Sequence, residues 1–170
     1  LGRDYYVGPR SVPLDDGSDG VTLTDFHAKQ TRLWVKTKTK LANGESVQAH
    51  VEMDFQNSGQ GNESISNSAS PRLRQAFLRY GSWLFGQTWS TFQNVGALPE
   101  TLDFIGPTES TVFVRQPMIR YTSGGFQLAL ENPETRLSGL PAGAPNTTDD
   151  NSIPDIAIRY NFGGGLVLAG

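Results

Sequence analysis

Hydrophobic and polar residues alternate along much of this chain, and the alternation predicts strands. From Val47 to Phe55, the residues Val47, Ala49, Val51, Met53 and Phe55 interleave with Gln48, His50, Glu52 and Asp54. Successive side chains of a strand point to opposite faces, so one face here is apolar and the other charged. In Phe126–Glu131, the residues Phe126, Leu128 and Leu130 oppose Gln127, Ala129 and Glu131. In Asp155–Phe162, Ile156, Ile158, Tyr160 and Phe162 oppose Asp155, Ala157, Arg159 and Asn161. Leu33 and Val35 oppose Arg32, Trp34, Lys36 and Lys38. The predicted strands are Lys29–Lys38, Val47–Phe55, Arg72–Tyr80, Trp83–Thr88, Phe113–Tyr121, Phe126–Glu131, Asp155–Phe162 and Leu166–Gly170. No segment of helical period separates them, which predicts an antiparallel meander. Arg72–Tyr80 breaks the pattern. Strict alternation puts Arg72 and Arg74 with Leu78 and Tyr80, and Arg79 with Leu73 and Phe77.

The connections separate the possible all-β folds. Leu41–Ser46 holds Asn43-Gly44, a strong hairpin signal. Gly81-Ser82, Thr122–Gly125 and Gly163–Gly165 are also short. Gln56–Pro71, Trp89–Val112 and Asn132–Pro154 are long, so short and long connections alternate. A transmembrane β-barrel has this asymmetry, with short periplasmic turns and longer outside loops. A soluble sheet with one buried face shows the same alternation of residues, but nothing sorts its turns. Aromatic residues at strand ends, Phe55, Tyr80, Tyr121 and Phe162, point the same way, since aromatic girdles mark membrane interfaces. The expected fold is all-β: an antiparallel transmembrane β-barrel, with residues 1–170 part of a single barrel domain. Eight strands would make a narrow barrel filled by side chains. So many long charged residues suit a wider one, so the chain is expected to be about half of a barrel of about sixteen strands.

Composition changes the picture in three ways. Mean hydropathy is negative, and no apolar run reaches the roughly eighteen residues of a transmembrane helix. A membrane barrel hides its apolar face in alternate residues, so this does not exclude one. The net charge of -3 gives no general attraction for nucleic acid. The chain has no cysteine, which excludes a disulfide scaffold and a Cys-based zinc site. Residues Leu1 to Arg10 carry no recognisable export signal.

Candidate chemistry is sparse. His27 and His50 have no partner at metal-ligand spacing, and no nucleophile elbow, P-loop or dinucleotide fingerprint occurs. No catalytic residue, metal or cofactor is expected. Asp15, Asp16 and Asp19 could offer oxygens to calcium, but lack EF-hand spacing. Arg32, Lys36, Arg120 and Arg159 fall on polar strand faces, with Arg72 and Arg74 beside them. A row of fixed positive charge inside a tube concentrates anions. The same cations could instead pair across strands with Glu52, Asp54, Glu131 and Asp155.

Several stretches resemble the DcaP-like trimeric porins: Arg72–Tyr80, Leu84–Phe92, Leu98–Pro107 and Val114–Tyr121, with Ala28–Leu33 and Glu131–Pro133. The resemblance implies a sixteen-stranded homotrimeric channel in the bacterial outer membrane, surrounded by lipid and lipopolysaccharide. It implies passive uptake of dicarboxylates and similar small anions. It also implies that residues 89–112 fold inward as a constriction loop, placing Glu100 and Asp103 opposite the basic wall. Gln75 stands where that family often has His. The alternatives are a soluble β-sandwich that stacks sugars on Trp34, Trp83 and Trp89, an outer-membrane lipase, and a barrel that acts only as an anchor.

Overall fold

The computed structural model describes residues 26–56, 63–98, 114–133, 135–136, 147–148, 153–163 and 165–169. The strands are β1 (Leu33–Lys40), β2 (Ser46–Asp54), β3 (Arg72–Tyr80), β4 (Trp83–Trp89), β5 (Arg115–Ser123), β6 (Phe126–Glu131), β7 (Thr135–Arg136), β8 (Thr147–Thr148), β9 (Asp155–Phe162) and β10 (Gly165–Ala169). β7 and β8 pair only with each other; the rest form an 8-stranded sheet in the order β1-β2-β3-β4-β5-β6-β9-β10. Every pairing is antiparallel, so the expected meander is what forms. A short helix α1 (Glu63–Ser66) follows β2, and a 3₁₀ turn, Val95–Ala97, follows β4. No described helix is long and apolar enough to cross a membrane.

The short connections behave as their residues dictate. In the β1–β2 turn, the Gly44 amide donates to Leu41 O at 3.0 Å and the Leu41 amide to Glu45 O at 2.8 Å. Gly44 adopts a φ of 87°, which a side chain would oppose. The Asn43 carboxamide accepts from the Glu45 amide and donates to the Tyr80 hydroxyl, tying this turn to the next hairpin. All the short turns lie at one end of the sheet, and the long links leave from the other.

Two strands begin later than alternation predicts. The predicted strand from Lys29 starts at Leu33, because the Thr31 amide turns back to Ala28 O at 2.9 Å. The predicted strand from Phe113 is described from Arg115 onward.

The irregular pattern of Arg72–Tyr80 has a definite cause. Glu52 pairs with Gln75 but Met53 with Leu73, so Arg74 is an extra residue, a β-bulge. The bulge inverts the phase of β3. Below it Arg72 pairs with Asp54; above it Phe77 pairs with His50 and Arg79 with Gln48. Arg72, Arg74, Phe77 and Arg79 therefore share the polar face, whereas Leu73, Leu78 and Tyr80 lie on the apolar one. This corrects the grouping that strict alternation gives. The Gln87 carboxamide donates to Leu73 O at 3.3 Å and Arg74 O at 3.4 Å, carbonyls that lie beyond the end of the β3–β4 pairing.

The burial of this sheet is inverted. Asp54 is 2% exposed and Glu131 4%, whereas Val51 is 43% and Ile119 46% exposed. The apolar face, including Leu73, Phe85, Leu130 and Ile156, is open. A water-soluble sheet buries that face; a membrane strand turns it to lipid. Near the short turns the open face carries an aromatic group. Trp83 lies 5.0 Å from Tyr121 and 6.1 Å from Phe85, and Tyr160 lies 6.3 Å from Phe162.

Candidate functional site

The candidate site is the polar face together with the segment folded against it. After β4 the chain crosses this face instead of continuing away from the sheet. Thr91 is fully buried, and Ser90 and Gln93 are nearly so. The Thr91 amide donates to Glu131 Oε1 at 2.7 Å. Arg120 Nη1 donates to Thr91 Oγ1 at 3.4 Å, and Arg159 Nη1 to Gln93 O at 3.1 Å. The Ser90 amide donates to Val114 O at 3.1 Å. Residues from β5, β6 and β9 thus hold one short segment. Small side chains leave room for it: Arg120 pairs across the strands with Ala129, and Ala129 with Ala157. Gly86 lies opposite Phe77 with a φ of 118°, and a Cβ there would strike the Ala76 carbonyl.

The cations expected to form one wall fall into different surroundings. Arg72 grips Asp54 with two bonds, Nε to Oδ1 at 2.8 Å and Nη2 to Oδ2 at 2.7 Å. Arg74 bridges both carboxylates, with Nε 2.6 Å from Glu52 Oε1 and Nη1 2.9 Å from Asp54 Oδ2. Arg32 lies 3.8 Å from Glu52, as does His50. Forked Arg–carboxylate bonds of this kind are strong and directional. The cross-strand pairing that the sequence left open is therefore formed at this end.

Arg120 and Arg159 differ. Among the described residues, no carboxylate lies within ion-pair distance of either; their bonds go to neutral oxygens of residues 91, 93 and 161. Arg79 stands on the same face, and both Arg79 and Arg159 repel the Arg120 charge while Glu131 attracts it. Lys36 pairs with His50 on the first hairpin, away from this group. Sequence reasoning missed Arg79, which strict alternation set on the wrong face. Gln75 accepts from Thr88 Oγ1 at 3.1 Å, joining β3 to β4 beyond the bulge.

The other candidates lie apart from this group or outside the described residues. Trp83 is on the apolar face, Trp34 pairs with Glu52 on the polar one, and Trp89 stacks under Arg115 at 3.9 Å. Register puts Trp83 and Trp89 on the same face of β4, six residues apart, and Trp34 on the opposite face of the sheet, so the three do not line one sugar-stacking surface. No group of metal-binding side chains occurs among the described residues. Glu100, Asp103, Asp15, Asp16 and Asp19 lie outside the described residues, as does most of the link 89–112 beyond Leu98.

Comparison with known proteins agrees with this geometry. The family model of the DcaP outer membrane protein matches residues 5–167. Among solved structures, the outer membrane channel DcaP of Acinetobacter baumannii is similar, at 30% identity and a TM-score of 0.57. That match covers 79% of this chain and 37% of the channel's chain. A search of the curated proteins gives no match. A polar face that is packed, an apolar face that is open and a family match over almost the whole chain have one common explanation: this chain belongs to the DcaP outer membrane protein family, and its sheet is part of an outer-membrane β-barrel.

Proposed function

We propose that the protein is a trimeric porin through which small anions, dicarboxylates among them, diffuse passively. The observation that carries this reading is the group Arg79, Arg120 and Arg159 on the polar face, beside the inward-folded residues 90–93 and without a carboxylate partner among the described residues. A porin lumen is polar and holds water. Fixed positive charge there raises the local concentration of anions, and arginine matches a carboxylate with two parallel donors. Arg72 and Arg74, with Arg32 beside them, serve mainly to neutralise Glu52 and Asp54. Lys36 adds charge on the neighbouring wall. Residues 89–112 form the constriction, with Glu100 and Asp103 supplying charge opposite to the arginines. No bond is made or broken.

The test is single-channel recording of the full-length protein in a planar bilayer under a salt gradient. Stepwise openings in threes, with a reversal potential on the anion side, are expected. Cation preference would overturn the arginine assignment. A protein that never inserts and stays monodisperse without detergent would overturn the porin.

A further inference from the structure

The charges of the polar face are sorted along the strand axis. Lys38, Lys40, Arg79, Arg120 and Arg159 all lie in the half of their strands nearest the short turns. Glu52, Asp54, Glu131 and Asp155 all lie in the other half. There Arg72 and Arg74 are bonded to Glu52 and Asp54, and Lys36 is offset in charge by Glu131 and Asp155, so that half carries no excess of positive charge. Among the described residues, the acidic side chain at the short-turn end is Glu45, in the first turn itself. Register places Lys38 against Gln48 and Gln48 against Arg79, so these cations face the same space. Lys38 and Lys40 project about 7 Å apart along β1, and Arg79 is two strands, about 10 Å, away. An extended polyanion can bridge such separations; a single monovalent anion cannot.

We infer that the short-turn mouth of the channel is a binding site for multivalent anions and that the pore conducts asymmetrically because of it. The inference rests on the porin reading above. Charge fixed at one mouth gathers anions there. A voltage driving anions inward from that mouth fills the pore with carriers, and the opposite voltage depletes it. Screening removes the effect when the Debye length shrinks from about 10 Å at 0.1 M salt to about 3 Å at 1 M.

The experiment uses the full-length channel in a planar bilayer with equal salt on both sides. Orientation is read from an Ala42→Cys variant and a membrane-impermeant thiol reagent. At 0.1 M salt the currents at opposite voltages should differ by about twofold, and the ratio should approach one at 1 M. Tripolyphosphate added on the short-turn side should block at a concentration about tenfold lower than on the other side. The Lys38→Gln/Lys40→Gln variant should still open but lose most of both asymmetries. Equal currents at low salt, or equal block from both sides, would overturn the inference while anion-preferring openings keep the porin. A variant retaining the full asymmetry would overturn the role of Lys38 and Lys40. Absence of any opening would overturn both readings.

Discussion

Two groups of arginines share one face of this sheet and serve different ends. Near the long links, Arg72 and Arg74 are bonded to Asp54 and Glu52 at 2.6–2.9 Å. Nearer the short turns, Arg120 and Arg159 bond neutral oxygens of Thr91, Gln93 and Asn161, with no carboxylate at ion-pair distance among the described residues. The first group balances buried carboxylates and fixes a bulged strand. The second anchors the segment that crosses the face and, in the proposed porin, is the charge that draws anions. Residue type and facing direction are the same in both, so the local carboxylates decide which arginine is held in an ion pair.

The largest effect on this contrast should come from Asp54→Ala. It removes the forked partner of Arg72 and one of the two carboxylates that the buried Arg74 bridges, and breaking a buried pair costs about 3–5 kcal/mol. Urea unfolding in lipid vesicles should show that loss; a change under about 1 kcal/mol would mean the pairs are incidental. Next is Ile119→Arg on the open apolar face, expected to cost about 2–4 kcal/mol if that position faces the bilayer centre. The same unfolding assay checks it, and a neutral result would take lipid away from this face. Glu131→Ala should be smaller. It removes the carboxylate that accepts from the Thr91 amide, a charged hydrogen bond worth about 1.5–3 kcal/mol. Open-channel current noise should rise as residues 90–93 loosen; an unchanged noise spectrum would show that other bonds suffice.

Much of this was legible in the sequence. Period-two alternation identified the strands of the main sheet, and the sorting of short and long connections identified which kind of sheet it is. The bulge was hidden because one inserted residue looks like a failed alternation. Its trace is the odd spacing from Leu73 to the apolar positions Ala76 and Leu78, and reading that spacing would have put Arg79 on the polar face. Alternation gives a residue's face but not its cross-strand partner, so the pairing of Arg72 with Asp54 needed the register. The inward turn at Ser90–Gln93 carries no periodic signal. It is held by Glu131, Arg120 and Arg159 from three other strands, and such tertiary anchoring leaves no local mark. The pair β7–β8 lies in a link that has no alternation.

The two groups of arginines should differ most in their effect on ion selectivity. The most direct measurement is the reversal potential of the full-length channel in a salt gradient, with Arg120→Gln/Arg159→Gln compared against Arg72→Gln/Arg74→Gln. The first variant should lower the anion-to-cation permeability ratio by about threefold, because it removes charge that no carboxylate among the described residues holds in an ion pair. The second should change the ratio less. A larger loss of selectivity in the Arg72/Arg74 variant than in the Arg120/Arg159 variant would contradict the account.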